Sequence, residues 1–176
     1  MKNIVLIGFM GTGKTSTGKT LASRLGFSFL DLDEAIETAA GMTIPQIFEQ
    51  FGENGFRARE REAVLKAAER RNTVIATGGG VVKNAANMDA LRAHGVVVCL
   101  TADVDTILSR TATRGERPVL DGRDAGDRRA AIEALMKERA ALYKGADYTV
   151  DTSDWSPLLV VDDIVKFLRG RGLLHE

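Results

Sequence analysis

The feature that most constrains this chain lies near its start. An apolar run, Asn3–Gly8, leads into Gly8-Phe9-Met10-Gly11-Thr12-Gly13-Lys14-Thr15 and then into a segment of helical pattern. The spacing is that of a Walker A loop, and a strand before and a helix after are the context such a loop requires. Glycines let the backbone curl until successive N–H groups point inward at phosphate oxygens, a course that side chains would block. The helix start adds the positive end of its dipole. The loop residues Gly11, Thr12, Gly13, Lys14, Thr15 and Ser16 are therefore expected to bind ATP. Lys14 should reach the β and γ phosphates, and the Thr15 hydroxyl should ligate Mg²⁺. The hydroxyls of Thr12, Ser16, Thr17 and Thr20 read as polar groups at a helix entry. A glycine turn that holds no ligand is the alternative.

Apolar runs of strand length recur at Asn3–Gly8, Ser28–Asp31, 73–77, Gly95–Thr101 and 147–152. Helical patterns lie between them at Lys14–Leu25, 33–40, 44–51, 53–71, 84–94, 104–111, 127–144 and 158–169. Strand and helix in alternation predict an α/β fold: a doubly wound, parallel, five-stranded sheet flanked by helices on both faces. In the last helix, Leu158, Val161, Val165 and Leu168 form an apolar stripe expected to pack on the sheet. The 176 residues are expected to form a single domain, 1–176. The segment 112–126 holds Arg114, Glu116, Arg117, Arg123 and Asp124 with little apolar material, and reads as a lid.

Twenty-four Lys and Arg balance 24 Asp and Glu, so no excess field is available to hold a nucleic acid or an anionic membrane. A small partner is expected. The apolar start is too short for a signal segment or a membrane span, and Cys99, the one cysteine, cannot form an internal disulfide. These features fit a soluble, cytoplasmic protein, expected to act as a monomer.

Beyond the loop, Asp31 and Asp33 stand at the carboxyl end of the second strand, where ligands collect in a doubly wound sheet. Asp31 is expected to hold Mg²⁺, and Asp33 to accept the proton of an acceptor hydroxyl. The alternative for Asp33 is a helix cap. Arg57, Glu60 and Val64 share one helix face, so Glu60 can orient the Arg57 fork toward a substrate carboxylate; a surface ion pair is the plainer reading. Arg139 interrupts the stripe Ile132, Met136 and Tyr143, and a cation so placed needs a buried partner or a ligand cleft. Gly78, Gly79 and Gly80 follow a strand and allow close backbone approach and N–H donors to a ligand. Arg117 before Pro118 is placed to stabilise the transferring phosphoryl when the lid closes. Arg110 either flanks the adenine or serves as a cation at a helix carboxyl end.

Together the Walker A loop, Asp31-Leu32-Asp33, Phe56-Arg57-Ala58-Arg59-Glu60, Gly78-Gly79-Gly80, Arg117-Pro118-Val119-Leu120 and Arg139 resemble the shikimate kinase family over nearly the whole chain. The resemblance implies a fold like that of nucleoside monophosphate kinases, a three-layer α/β/α P-loop core with a substrate-binding region at about 33–61 and a lid at about 112–126. It implies phosphorylation of the shikimate 3-hydroxyl by ATP with Mg²⁺ as cofactor, in the chorismate route to aromatic amino acids. It further implies a shikimate site made of Asp33, Arg57, Gly78, Gly79, Gly80 and Arg139, with both arginines on the carboxylate. Lys14, Asp33 and Arg117 would be catalytic, and Arg110 with residues around Asp151, Thr152 and Ser153 would border the adenine. Val119 stands where the family commonly carries leucine. A kinase for gluconate or a nucleoside monophosphate, and a nucleotide-gated switch, are the competing readings. The chain carries no guanine-reading Asn-Lys-x-Asp motif.

Overall fold

The computed structural model describes residues 2–112, 125–154 and 156–174. Its strands are β1 (Asn3–Gly8), β2 (Ser28–Asp31), β3 (Thr73–Ala76), β4 (Gly95–Thr101) and β5 (Tyr148–Asp151). The helices are α1 (Lys14–Leu25), α2 (Leu32–Ala40), α3 (Ile44–Ala68), α4 (Ala85–Ala93), α5 (Val104–Ala112), α6 (Ala125–Tyr143) and α7 (Pro157–Gly170), with one 3₁₀ turn at Val81–Lys83. The strands form one parallel sheet in the order β2-β3-β1-β4-β5, with β1 at its centre. This is the predicted doubly wound α/β fold.

The strands read as continuous apolar runs because both of their faces are covered. Ile4 and Leu6 of β1, with Val96, Val98 and Leu100 of β4, pack under Leu21 of α1 and Val161, Ile164 and Val165 of α7. The alternate residues Val5, Ile7, Val97 and Cys99 meet Val64 of α3 and Met88 and Leu91 of α4 on the opposite face. Two smaller clusters lie apart from the sheet. Ile36, Ile47 and Phe56 join α2 to α3, and Phe9, Ile107 and Ile132 join α5 and α6 to the phosphate loop.

Several boundaries differ from expectation for local reasons. The predicted helices 44–51 and 53–71 run on as α3, but Gly52 has a non-helical φ of 68° and ψ of −175°, so a kink stands where the break was expected. Thr43 and Gln46 cap the start of α3 reciprocally. The ends of the expected lid are helical, since α5 reaches Ala112 and α6 begins at Ala125. Leu158 is 64% exposed and does not join the α7 stripe, which is Val160, Val161, Ile164, Val165 and Leu168. Leu158 falls in the first turn, away from the face that those residues share. Among the described residues no helix is long and apolar enough to cross a membrane.

Candidate functional site

The phosphate loop leaves β1 at Gly8 and enters α1 through Gly13, a left-handed N-cap at φ 92° and ψ 24° that carries no capping side chain. The first N–H groups of α1 are thus left for a ligand rather than for a cap. Lys14 Nζ folds back along the loop and donates to the carbonyl oxygens of Gly8 (2.5 Å) and Phe9 (3.0 Å). Thr12 Oγ1 donates to Phe9 O at 2.7 Å, Ser16 Oγ to Gly13 O at 3.5 Å, and Thr20 Oγ1 to Ser16 O at 3.0 Å. These hydroxyls stabilise the loop and the helix entry, as expected.

Thr15 Oγ1 donates to Asp31 Oδ2 at 3.0 Å. Asp31 Oδ1 also accepts from the N–H groups of Asp33 (2.9 Å) and Glu34 (3.3 Å), which makes Asp31 the N-cap of α2. The alternative cap role considered for Asp33 therefore falls to Asp31. The strand ends at Asp31 and α2 begins at Leu32, so Asp33 lies on the helix. The two carboxylates diverge, Asp31 toward Thr15 and Asp33 toward Gly78. A hydroxyl and a carboxylate oxygen side by side next to a phosphate loop suit Mg²⁺, which takes one or two protein oxygens and completes its shell with phosphates and water.

Beside the loop is a cavity of about 220 Å³ whose walls include Gly11, Gly13, Arg110, Thr152, Pro157 and Val160. Arg110 does not serve as a dipole partner at the end of α5. Its guanidinium donates to Gly11 O (3.1 Å), Thr152 Oγ1 (3.1 Å) and Thr152 O (2.6 Å), tying the loop to the segment after β5. Thr152 is buried, and its hydroxyl also reaches Thr12 O (2.9 Å) and Thr101 O (3.0 Å). Its central place was not evident from sequence, where it appeared only as one of three residues expected to border the adenine. The walls from Pro157 and Val160 were missed as well, although Ser156-Pro157 is a recognisable helix start.

The glycine triplet after β3 brings the remaining residues together. None of its three glycines has a positive φ, so close approach rather than backbone conformation explains their identity. A β-carbon on Gly78 would stand 2.6 Å from Asp33 Oδ1, and one on Gly79 would stand 2.9 Å from Arg139 Nη1. One on Gly80 would meet Arg57 Nη1 at 2.6 Å and Nη2 at 2.8 Å. A side chain of this same chain thus occupies the room left by each glycine. Asp33, Arg139 and Arg57 converge there from α2, α6 and α3.

Arg57 is held from behind. Glu60 is 2% exposed and accepts from Arg57 Nη1 at 2.9 Å, so the pair is no surface contact. Burial pushes the Glu60 carboxyl above its ordinary 4.5, and the Arg57 charge and hydrogen bond oppose that shift. Arg139 is 6% exposed and makes no ion pair among the described residues. Its guanidinium lies 5.5 Å from the centroid of the Phe9 ring. A buried cation with no ion pair among the described residues is costly unless an anion reaches it, and the space before the triplet could take one. Of the residues expected in the site, Arg117 falls at 113–124, outside the described residues.

The chain matches the shikimate kinase family over residues 10–169. It is 46% identical over 166 residues to a shikimate kinase of Thermoanaerobacter pseudethanolicus, covering 94% of this chain and 95% of that one. It is 45% identical over 174 residues to a shikimate kinase of Caldanaerobacter subterraneus, covering 97% of this chain and all of the other. The solved structure of shikimate kinase from Acinetobacter baumannii in complex with shikimate superposes with a TM-score of 0.91 at 38% identity, covering 98% of this chain and 96% of that one.

Proposed function

The chain belongs to the shikimate kinase family, and we propose how its own residues carry out that family's reaction, the ATP-dependent phosphorylation of the shikimate 3-hydroxyl on the route to chorismate. The observation that carries the reading is the convergence of two arginines and one carboxylate on Gly78, Gly79 and Gly80. Arg57 and Arg139 hold the shikimate carboxylate, each guanidinium presenting paired donors to it. Asp33 accepts the proton of the attacking hydroxyl. The loop N–H groups of Gly11 to Ser16 and Lys14 hold the phosphates, and Arg110 with Thr152 frames the adenine end. Thr15 and Asp31 hold Mg²⁺, which when bound offsets charge on the β and γ phosphates.

Transfer then depends on position and charge more than on a strong base. Lys14 leaves its loop carbonyls for the phosphate oxygens, and Arg117, set between α5 and α6 in the sequence, reaches the transferring phosphoryl as the 112–126 segment closes. In this reading one kinase domain, with its acceptor region at about 33–61, works as a cytoplasmic monomer without nucleic acid or membrane partners.

The test is ADP release with MgCl₂ in the presence of shikimate, gluconate, AMP or no acceptor, with the phosphorylated product confirmed by mass. Shikimate-dependent turnover that vanishes in Lys14→Ala is expected. Arg57→Ala or Arg139→Ala should raise KM for shikimate by about 100-fold, the loss expected for a charged hydrogen-bonded partner left alone. Turnover with gluconate or AMP but not shikimate would remove the roles of both arginines.

A further inference from the structure

Arg110 and Thr152 do more than wall the cavity beside the phosphate loop, because their polar atoms are used on the loop itself. Arg110 Nη1 donates to Gly11 O and to Thr152 Oγ1, both at 3.1 Å, and the Thr152 hydroxyl reaches Thr12 O at 2.9 Å. Two consecutive loop carbonyls are thereby held by one pair of side chains. A trans peptide unit is planar, so its N–H points opposite to its carbonyl. Holding Gly11 O and Thr12 O therefore turns the N–H groups of Thr12 and Gly13 away from that pair. The Thr12 N–H makes only a long bond to Phe9 O, 3.4 Å, and the Gly13 N–H makes none among the described residues. Donors of this kind are what a phosphate loop keeps for its ligand.

The anchor for these bonds is part of the sheet edge. Thr152 is 3% exposed, and its own N–H donates to Thr101 O at 2.7 Å, which extends the pairing of β5 with β4 by one residue. Beyond it, the Ser153 N–H donates to Asp151 Oδ1 (2.8 Å), and Ser153 Oγ accepts from the Asp103 N–H (2.9 Å). The Thr152 hydroxyl is thus fixed by backbone that the loop does not share.

We propose that Thr152 is a positioning residue for the phosphate loop: through Thr12 O and through Arg110, its hydroxyl presets the N–H groups that take the triphosphate, whatever base the nucleotide carries. This goes beyond a place at the adenine end, and it rests on the reading that the loop holds the ATP phosphates. Without the hydroxyl, Thr12 O loses its donor from Thr152 and Arg110 Nη1 is left with Gly11 O. The loop must then be ordered by the ligand, and binding weakens by that cost.

The probes are MgATP and magnesium tripolyphosphate, which carries phosphates without a base, each titrated into the full chain by calorimetry. Thr152→Val keeps the shape and removes the hydroxyl. It should weaken both probes by the same factor, about 10-fold, the share one hydrogen bond provides. Thr152→Ser restores the hydroxyl and should bind both within about threefold of the parent. In turnover, Thr152→Val should raise KM for ATP about 10-fold and leave KM for shikimate unchanged.

A loss with ATP and none with tripolyphosphate would overturn the proposal and leave Thr152 a role at the base alone. Unchanged affinity for both probes, or a loss in Thr152→Ser equal to that in Thr152→Val, would overturn it as well. If Thr152→Val does not fold, Arg110→Lys tests the same bonds, since lysine keeps the charge and loses the fork. Equal loss of both probes in that variant supports the proposal, and loss of ATP alone overturns it. Shikimate-dependent turnover of the parent tests the underlying reading separately. A parent that turns over but binds no tripolyphosphate, or whose Thr152→Val variant keeps full tripolyphosphate affinity, overturns this inference and not that reading.

Discussion

The molecule has two glycine-rich turns at the carboxyl ends of the paired strands β1 and β3, and they are glycine-rich for different reasons. At the phosphate loop the backbone itself takes conformations that L side chains resist, as at Gly8 with φ 146°. At Gly78, Gly79 and Gly80 the backbone is ordinary, and the missing β-carbons make room for Asp33, Arg139 and Arg57. In the reading proposed above, one turn holds its ligand by backbone, and the other makes room for side chains that hold theirs. The same residue type therefore predicts opposite outcomes on substitution: loss of fold in one place, loss of acceptor binding in the other.

The largest effect is expected at Gly8. A β-carbon there would stand 2.3 Å from the carbonyl oxygen of Leu100, its register partner on β4, and neither strand can yield without breaking the sheet. Gly8→Ala should cost at least about 3 kcal/mol of stability in denaturant titration, combining overpacking with backbone strain. A loss below about 1 kcal/mol would show that the strands can part and would break the contrast.

Next come the triplet substitutions, where the obstacles are the ends of flexible arginines rather than backbone. Gly79→Ala and Gly80→Ala should leave stability within about 1 kcal/mol and raise KM for shikimate by about 10- to 100-fold, with KM for ATP unchanged. Gly78→Ala displaces Asp33 and should lower kcat instead. Equal effects on ATP and shikimate would mean that the triplet shapes the whole cleft and not the acceptor side alone.

Much of this arrangement was legible in the sequence, and what was not has physical causes. The Walker spacing located the loop because its chemistry is contiguous. The strands were legible because burial on both faces leaves uninterrupted apolar runs, and the break near Gly52 was legible because glycine interrupts a helix. Strand order was not, since no local pattern records which neighbour β1 pairs with. The side chains beside the triplet were not legible, because they come from α2, α3 and α6, and only the folded chain brings them within 3 Å of where its β-carbons would stand. Thr152 shows the same limit: its bonds run to residues 140 and 51 positions away in sequence. Asp31 took the cap considered for Asp33 because α2 begins at Leu32, directly after β2, and so places Asp33 inside the helix.

A smaller effect sharpens the acceptor side through pH. Glu60 binds its proton more tightly in the folded protein than in the unfolded chain, so its contribution to stability grows as pH falls through its raised value and is lost as pH rises past it. Acceptor binding runs the other way, because a protonated Glu60 no longer fixes Arg57 by charge. KM for shikimate should therefore climb on acidification, beginning above the ordinary carboxylate value of 4.5, by about three- to tenfold. Glu60→Gln should flatten that climb. A climb that persists unchanged in the glutamine variant would move the titrating group elsewhere in the site.

The smallest effect isolates conformation from space. Gly26 ends α1 at φ 68° with nothing within 4 Å of where a β-carbon would stand, and its N–H bonds to Ala22 O and Ser23 O. It has the left-handed backbone of the phosphate loop without the crowding that Gly8 shows. Gly26→Ala should cost about 1 kcal/mol, and Gly26→Asn less, because asparagine tolerates this region better than other side chains. Measured by denaturant midpoint beside Gly8→Ala, the difference between the two costs sets an upper bound on the share owed to the Leu100 carbonyl, since φ of 146° strains a side chain more than φ of 68°. Were Gly26→Ala neutral, conformation alone would carry no weight, and the phosphate loop would differ from the triplet only in what its glycines meet, backbone in one and movable side chains in the other.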